Sequence, residues 1–337
     1  MTHPSQLLRV DHTGWEEPGS GGLAHSGPQL HPNAPGNAHS APAGPTPRLT
    51  NLLVPIDFSD RSRILLRWSV RIAEAFAARI SLVAERSSEA AAPAAADDLG
   101  TRQLDQWRER EIPAELQGGT LSPARTGGEG IALAARQLTA DLVVTPSKRN
   151  RASGWRGLRR EDSMGRALRE LPCPLLSVDP ALCEQRQPPR ISPMGWQTIL
   201  VWDDGTSDPA SAIAWTAEVS RRTRATATIL RYLDQEFQGM RTLPFDTRRV
   251  AADARKVAER ELMARIRAHH WGENRPRILF RNGRGGAEAV RQMACRMQAD
   301  LVVVKTARNR PWWRALAADP IRKLSLTAPC PVLSVPG

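Results

Sequence analysis

NLLVPIDFSDRSRILLRW, residues 51–68, aligns without a gap to TILVWDDGTSDPASAIAW, residues 198–215. Asp57 falls on Asp204, Ser59 on Thr206 and Trp68 on Trp215. Two further pairs follow in the same order. ADLVV recurs at 140–144 and 299–303, and LPCPLLSV at 171–178 matches APCPVLSV at 328–335. Three matching blocks in one order indicate an internal duplication. The period is far longer than that of a solenoid repeat, so each copy is read as a domain.

Each copy alternates strand and helix patterns. In the first, residues 52–56 form a short apolar run that reads as a buried strand. Ser59 or Asp60 then caps a helix with apolar residues at Ile64, Trp68, Ile72 and Phe76. Residues 80–84 are a second strand, 97–111 a helix and 114–121 a weak strand. A helix at 130–139 leads into a strand at 142–145. A basic loop, a helix near 163–171 and a strand at 175–178 complete the copy. The second copy repeats this order, with a clearer second helix at 246–271. Such alternation predicts a parallel sheet covered on both faces by right-handed crossovers. Ligands of such sheets sit beyond the carboxyl ends of the strands, where the strand order reverses. That directs attention to Asp57 and Asp204 after the first strands, and to the loops after the fourth.

The chain has 337 residues, enough for two ordinary domains, and a net charge of +12. Arginine carries nearly all of the positive charge, the lysines being Lys148, Lys256, Lys305 and Lys323. That balance suits nucleic acid, phosphates or anionic lipid, and scattered arginine from coding bias would produce it as well. No apolar run approaches the ~20 residues of a membrane span. The N-terminus lacks a signal-peptide pattern. Cys173, Cys183, Cys295 and Cys330 have no zinc-like spacing. These features predict a cytoplasmic protein without a metal centre. Residues 1–47, rich in Pro, Gly, Ser, Ala and His, are expected to be a disordered tail. The expected organisation is then a first domain at 48–180, a linker at 181–194 and a second domain at 195–337.

Taken together, LLVPIDFSDRS, the two ADLVV strands, PCPLLSV and PCPVLSV resemble the universal stress protein (UspA-like) family, and two fused copies resemble its tandem E-type branch. The resemblance implies two flavodoxin-like α/β domains, each with five parallel strands in the order 3-2-1-4-5. The domains are expected to pack on one another as separate sheets, so a single continuous sheet would count against this arrangement. The resemblance also implies stress-linked binding or regulation.

Nucleotide-binding members carry G-x-x-G, nine residues and then G-[ST] after the fourth strand, and neither copy retains it. The second has Lys305, Arg308, Ala318 and Asp319 at those positions. The first has Pro146 and Arg149, then Glu161 and Asp162. Side chains there obstruct backbone approach to phosphates. Asp162 and Asp319 stand where a helix begins, and an N-cap carboxylate takes the N–H groups that a phosphate needs. ATP is therefore expected to bind weakly or not at all, and no cofactor is assigned.

The ligand-binding candidates are Asp57, Asp204, Lys148, Arg149, Arg151, Lys305, Arg308 and Arg310. Asp57 and Asp204 match the family's adenosine-contacting acid, and each also reads as a plain turn aspartate. The loop arginines, interleaved with Trp155, Trp312 and Trp313, suit an anionic small molecule or, second to it, a nucleic acid. Equally, they read as a solvated loop covering the crevice. Catalysis has little support: His269 and His270 are the folded part's histidines, and Cys173 and Cys330 read as buried structural residues. The RNGRGG stretch at 281–286 reads as a turn into the third helix. The expected partners are the other domain within the chain and, in solution, further copies of it. Two alternatives stay open: a nucleotide-binding or weakly ATP-hydrolysing protein with an arginine-based phosphate grip, and a basic RNA-associated protein.

Overall fold

The computed structural model describes residues 47–84, 95–122, 127–147, 171–179, 196–205, 209–233, 247–281, 285–306 and 320–337. Almost all of the expected tail, the linker at 181–194, most of the helix near 163–171 and both basic loops lie outside the described residues.

The first half runs β1 (Asn51–Ile56), α1 (Asp60–Phe76), β2 (Arg79–Ala84), α2 (Ala95–Glu111), β3 (Gln117–Leu121), α3 (Gly127–Gln137), β4 (Leu142–Pro146) and β5 (Leu175–Val178). The second runs β6 (Thr198–Asp203), α4 (Ala210–Thr223), β7 (Thr226–Tyr232), α5 (Thr247–Arg267), β8 (Arg277–Arg281), α6 (Ala287–Arg296), β9 (Leu301–Thr306), α7 (Pro320–Thr327) and β10 (Val332–Pro336). Within each half all pairings are parallel, in the expected order: β3-β2-β1-β4-β5 and β8-β7-β6-β9-β10.

The expectation of two separate sheets is corrected. β5 pairs antiparallel with β10 through Val332–Ser177, Leu333–Leu176 and Ser334–Leu175, so one sheet of ten strands runs through both halves. The edge accounts for the joint. β5 and β10 are short and buried, and the unpaired N–H and C=O groups along an apolar edge strand template pairing with another strand. Each supplies the other's missing partner.

Side chains alternate across the sheet, as a strand requires. On one face Leu52, Val54, Ile199 and Val201 meet α1, α2, α4 and α5 in one core shared by both halves. On the other face each half has its own core, around Leu53 with Ile131 and around Leu200 with Val290. The aspartate of each ADLVV repeat fixes the start of the central strands. Asp141 accepts from the backbone N–H groups of Thr50 (2.8 Å) and Asn51 (3.1 Å), and Asp300 from those of Gln197 (2.9 Å) and Thr198 (3.0 Å).

Ser59 caps α1 as expected, accepting from the Ser62 N–H at 3.3 Å. The expected apolar stripe is corrected in part. The buried face of α1 is Leu65, Leu66, Ser69, Ile72, Ala73 and Phe76, with Ile64 and Trp68 at its margin. Trp68 instead meets Trp196 of the second half, ring centroids 5.7 Å apart. Of the RNGRGG stretch, residues 282–284 lie outside the described residues; Arg281 ends β8, Gly286 precedes α6, and Gly285 packs so closely on Tyr232 that an added Cβ would lie 2.8 Å from its ring.

One sheet and one shared core should give a single calorimetric unfolding transition for both halves. Trp68→Ala should lower stability by about 2 kcal/mol without splitting that transition. Two resolved transitions would show that the halves unfold independently.

Candidate functional site

The order of each half reverses between its first and fourth strands, so the switch points lie at the carboxyl ends of β1 and β4 and of β6 and β9. In the first half Asp57 follows β1. Its Oδ1 accepts from the Ser59 N–H (3.1 Å), the Ser59 hydroxyl (2.6 Å) and the Ser62 hydroxyl. The Asp57 backbone N–H donates to Ser62 Oγ at 3.1 Å. Oδ2 is buried without a hydrogen bond. This carboxylate therefore organises the turn and the helix start. Phe58 adopts a left-handed conformation (φ 61°), uncommon for a residue with a Cβ. Its ring meets Trp107 of α2 edge-on at 5.6 Å. Arg63 lies over the same indole at 5.3 Å and bonds Glu111 at 3.1 Å. These contacts hold the segment after β1 against α2.

The second half is built differently. A crevice between β6 and β9 is lined by Trp202, Asp203, Asp204 and Lys305, with Pro320 and Ile321 of α7. The Trp202 indole N–H is buried there without a hydrogen bond. Gly337 lies against the Lys305 side chain, and its N–H donates to the Thr306 carbonyl at 2.9 Å.

Asp204 and Lys305 are thus brought to one crevice, whereas Asp57 serves the other half. Lys148, Arg149, Arg151, Arg308 and Arg310 lie outside the described residues, as do Asp162 and Asp319. α7 begins at Pro320, the residue after Asp319, where the capping signal placed a helix start.

Sequence reasoning missed Asp203 and Arg231. In the gap-free repeat Asp203 stands on Ile56, and in sheet register Arg231 stands on Ala84. An apolar cross-strand pair in one half is an ion pair in the other. Asp203 and Arg231 are both buried, with Nη1 to Oδ2 at 3.5 Å. Asp203 Oδ1 also accepts from the Gly205 N–H at 3.1 Å. Burial pushes the Asp203 carboxyl above the usual carboxylate range, and the Arg231 charge opposes it. The signal was available in the doubled aspartate of VWDD at 201–204.

Other groups offer less chemistry. Burial pushes the Cys173 thiol up to about 12, which keeps it protonated and unreactive, and Cys330 is buried too. Partial burial lowers the His269 pKa. Among the described residues no group of three or more His, Cys, Asp or Glu could hold a metal, and no helix is long and apolar enough to cross a membrane.

The model of the universal stress protein family matches residues 49–179 and 195–336. The chain belongs to the universal stress protein family. Solved universal stress proteins share its fold. One from Archaeoglobus fulgidus DSM 4304 is 12% identical, with 86% of this chain and 97% of that one covered and a TM-score of 0.56. A functionally unknown protein from Pseudomonas aeruginosa PAO1 is 14% identical, with 86% and 92% covered and a TM-score of 0.53. A universal stress protein solved in complex with cAMP matches 42% of this chain and 96% of its own, at 17% identity and a TM-score of 0.31. No curated protein matched the sequence.

The ion pair of this universal stress protein makes a direct test. Asp203→Ile alone removes the cross-strand carboxylate facing the buried Arg231 guanidinium and should cost about 3–5 kcal/mol. Asp203→Ile with Arg231→Ala installs the pair found at Ile56 and Ala84, and should recover most of that loss. Denaturant unfolding of both variants measures the difference. Equal losses in the single and double variants would show that the two charges do not depend on each other.

Proposed function

We propose that this universal stress protein is a stress-response binding or regulatory module, not a catalyst, and that neither half takes ATP in the manner of the glycine-motif members. The observation that supports the reading is that carboxylates stand at the ends of the first strands of both halves, among the described residues of the two switch points. Three internal donors already use Asp57 Oδ1. In the second half, buried Asp203 and its neighbour Asp204 line the crevice at the carboxyl end of β6. A triphosphate brought there would meet carboxylates instead of backbone N–H groups, and like charge disfavours it. Lys305 in the same crevice favours one second reading: a nucleotide or other anionic small molecule held by cationic side chains. In either case the expected setting is the cytoplasm, with self-association a further expectation.

Calorimetric titration of magnesium–ATP into the full chain should give no binding tighter than ~1 mM, about −4 kcal/mol. Asp319→Ser should change this little unless Lys305 and Arg308 also become glycine. Micromolar binding abolished by Asp57→Ala with Asp204→Ala would overturn the proposal and establish the second reading.

A further inference from the structure

The two halves share a backbone plan but differ sharply in charge at the amino edge of the sheet, where helices end and strands begin. α1 ends in Ala77 and α4 in Arg224, both left-handed cap residues at equivalent positions (φ 54° and 59°). With that register fixed, Glu74 is replaced by Arg221, Ala75 by Arg222 and Ala77 by Arg224. The next connection shows the same change. The chain into β3 carries exposed Glu115, whereas that into β8 carries exposed Arg275 and Arg277.

These arginines share one corner. The Asn274 side chain donates to the Arg224 carbonyl at 2.6 Å, and a Cβ added to Gly272 would lie 3.7 Å from Arg221 Cγ. Arg277 stands beside Thr228 in the parallel register, and Arg267 closes α5. Arg221, Arg222, Arg224, Arg267, Arg275 and Arg277 are all exposed. Buried Glu218 binds Arg221 (2.7 Å) and Arg222 (3.0 Å), and Glu273 is the exposed acid of this turn.

A helix C-terminus attracts cations and accounts for arginine in the last turn of α4 and α5. It does not account for Arg275 and Arg277, which lie at the start of a strand. A general excess of arginine would act on both halves alike, yet the matching corner of the first half sets exposed Glu74, Glu109 and Glu115 among its exposed Arg71, Arg79 and Arg110, whereas six exposed arginines of the second half face Glu273 as their exposed acid. The large apolar side chain exposed among the described residues is Val257, and Trp271 of this corner is buried. Among the described residues the patch therefore has no apolar anchor of the kind that protein interfaces or membrane insertion use. Guanidinium forks without such anchors match the phosphates of a nucleic-acid backbone.

We propose that the amino-edge corner of the second half is a docking surface for the phosphodiester backbone of a nucleic acid, without base recognition. It is separate from the crevice at β6 and β9 and does not depend on the reading of that crevice.

The test is fluorescence anisotropy of the full chain with a labelled single-stranded RNA and a labelled DNA duplex across a salt series. One variant carries Arg224→Gln, Arg267→Gln, Arg275→Gln and Arg277→Gln. A control of equal charge carries Arg67→Gln, Arg71→Gln, Arg79→Gln and Arg110→Gln on the first half, all exposed. Circular dichroism checks that both fold. Wild type should bind at least one probe at low salt. The corner variant should bind about tenfold or more weakly, with a log K against log salt slope shallower by about 3, whereas the control stays within about threefold. No binding by wild type, or equal losses in the two variants, would overturn the proposal. So would wild-type binding to phosphatidylserine vesicles in preference to both nucleic acids.

Discussion

The rest of the molecule depends on the pairing of β5 with β10. Five parallel strands with helices on both faces leave an apolar edge at the fifth strand, and its unpaired backbone groups favour pairing with another strand. Here a second copy of the same unit closes it from within the chain. Because the joint is antiparallel, the strands of one half run opposite to those of the other. The two switch points consequently open on opposite edges of the sheet. Asp57 and the Asp204–Lys305 crevice cannot hold one ligand between them, and each must be understood alone.

They also work by different physics. In the first half a carboxylate oxygen is saturated by a backbone N–H and two hydroxyls, and the turn that it shapes is held by Phe58, Trp107 and Arg63. In the second half the strand itself ends in a buried charge, balanced across the sheet by Arg231. Coulomb attraction between buried charges is strong but works against a large desolvation cost, so such a pair contributes less to stability than its geometry suggests. Its presence where the other half has isoleucine and alanine marks the floor of the second site as polar.

Most of the strands and helices were legible because they are written in local patterns: apolar runs of strand length, a capping serine, and motifs in duplicate, while the strand order was implied by the family resemblance. The repeated aspartate of ADLVV proved to be a structural clamp, bonding the chain before the first strand in both halves. The joining of the two sheets was not legible. Periodicity tells which face of a strand is buried, but not what bonds its edge, and LLSV would look the same at a free edge or a shared one. Trp68 escaped for a similar reason: four-residue spacing put it on the helix's inner face, whereas its partner belongs to the other half. At the candidate site, Asp57 and Asp204 were found by position in the strand order. Asp203 and Arg231 were missed because each looks ordinary alone, and only the cross-strand register joins them.

The duplication has a consequence for how such a protein can change. In a dimer of identical chains every substitution lands twice, once on each side of the symmetry axis, and a change useful at one site is imposed on the other. Covalent fusion removes that coupling while keeping the same joint. Ile56 with Ala84 against Asp203 with Arg231, and Ala77 against Arg224, are what the freedom produces: one framework, inherited in two copies, in which each copy is altered on its own account.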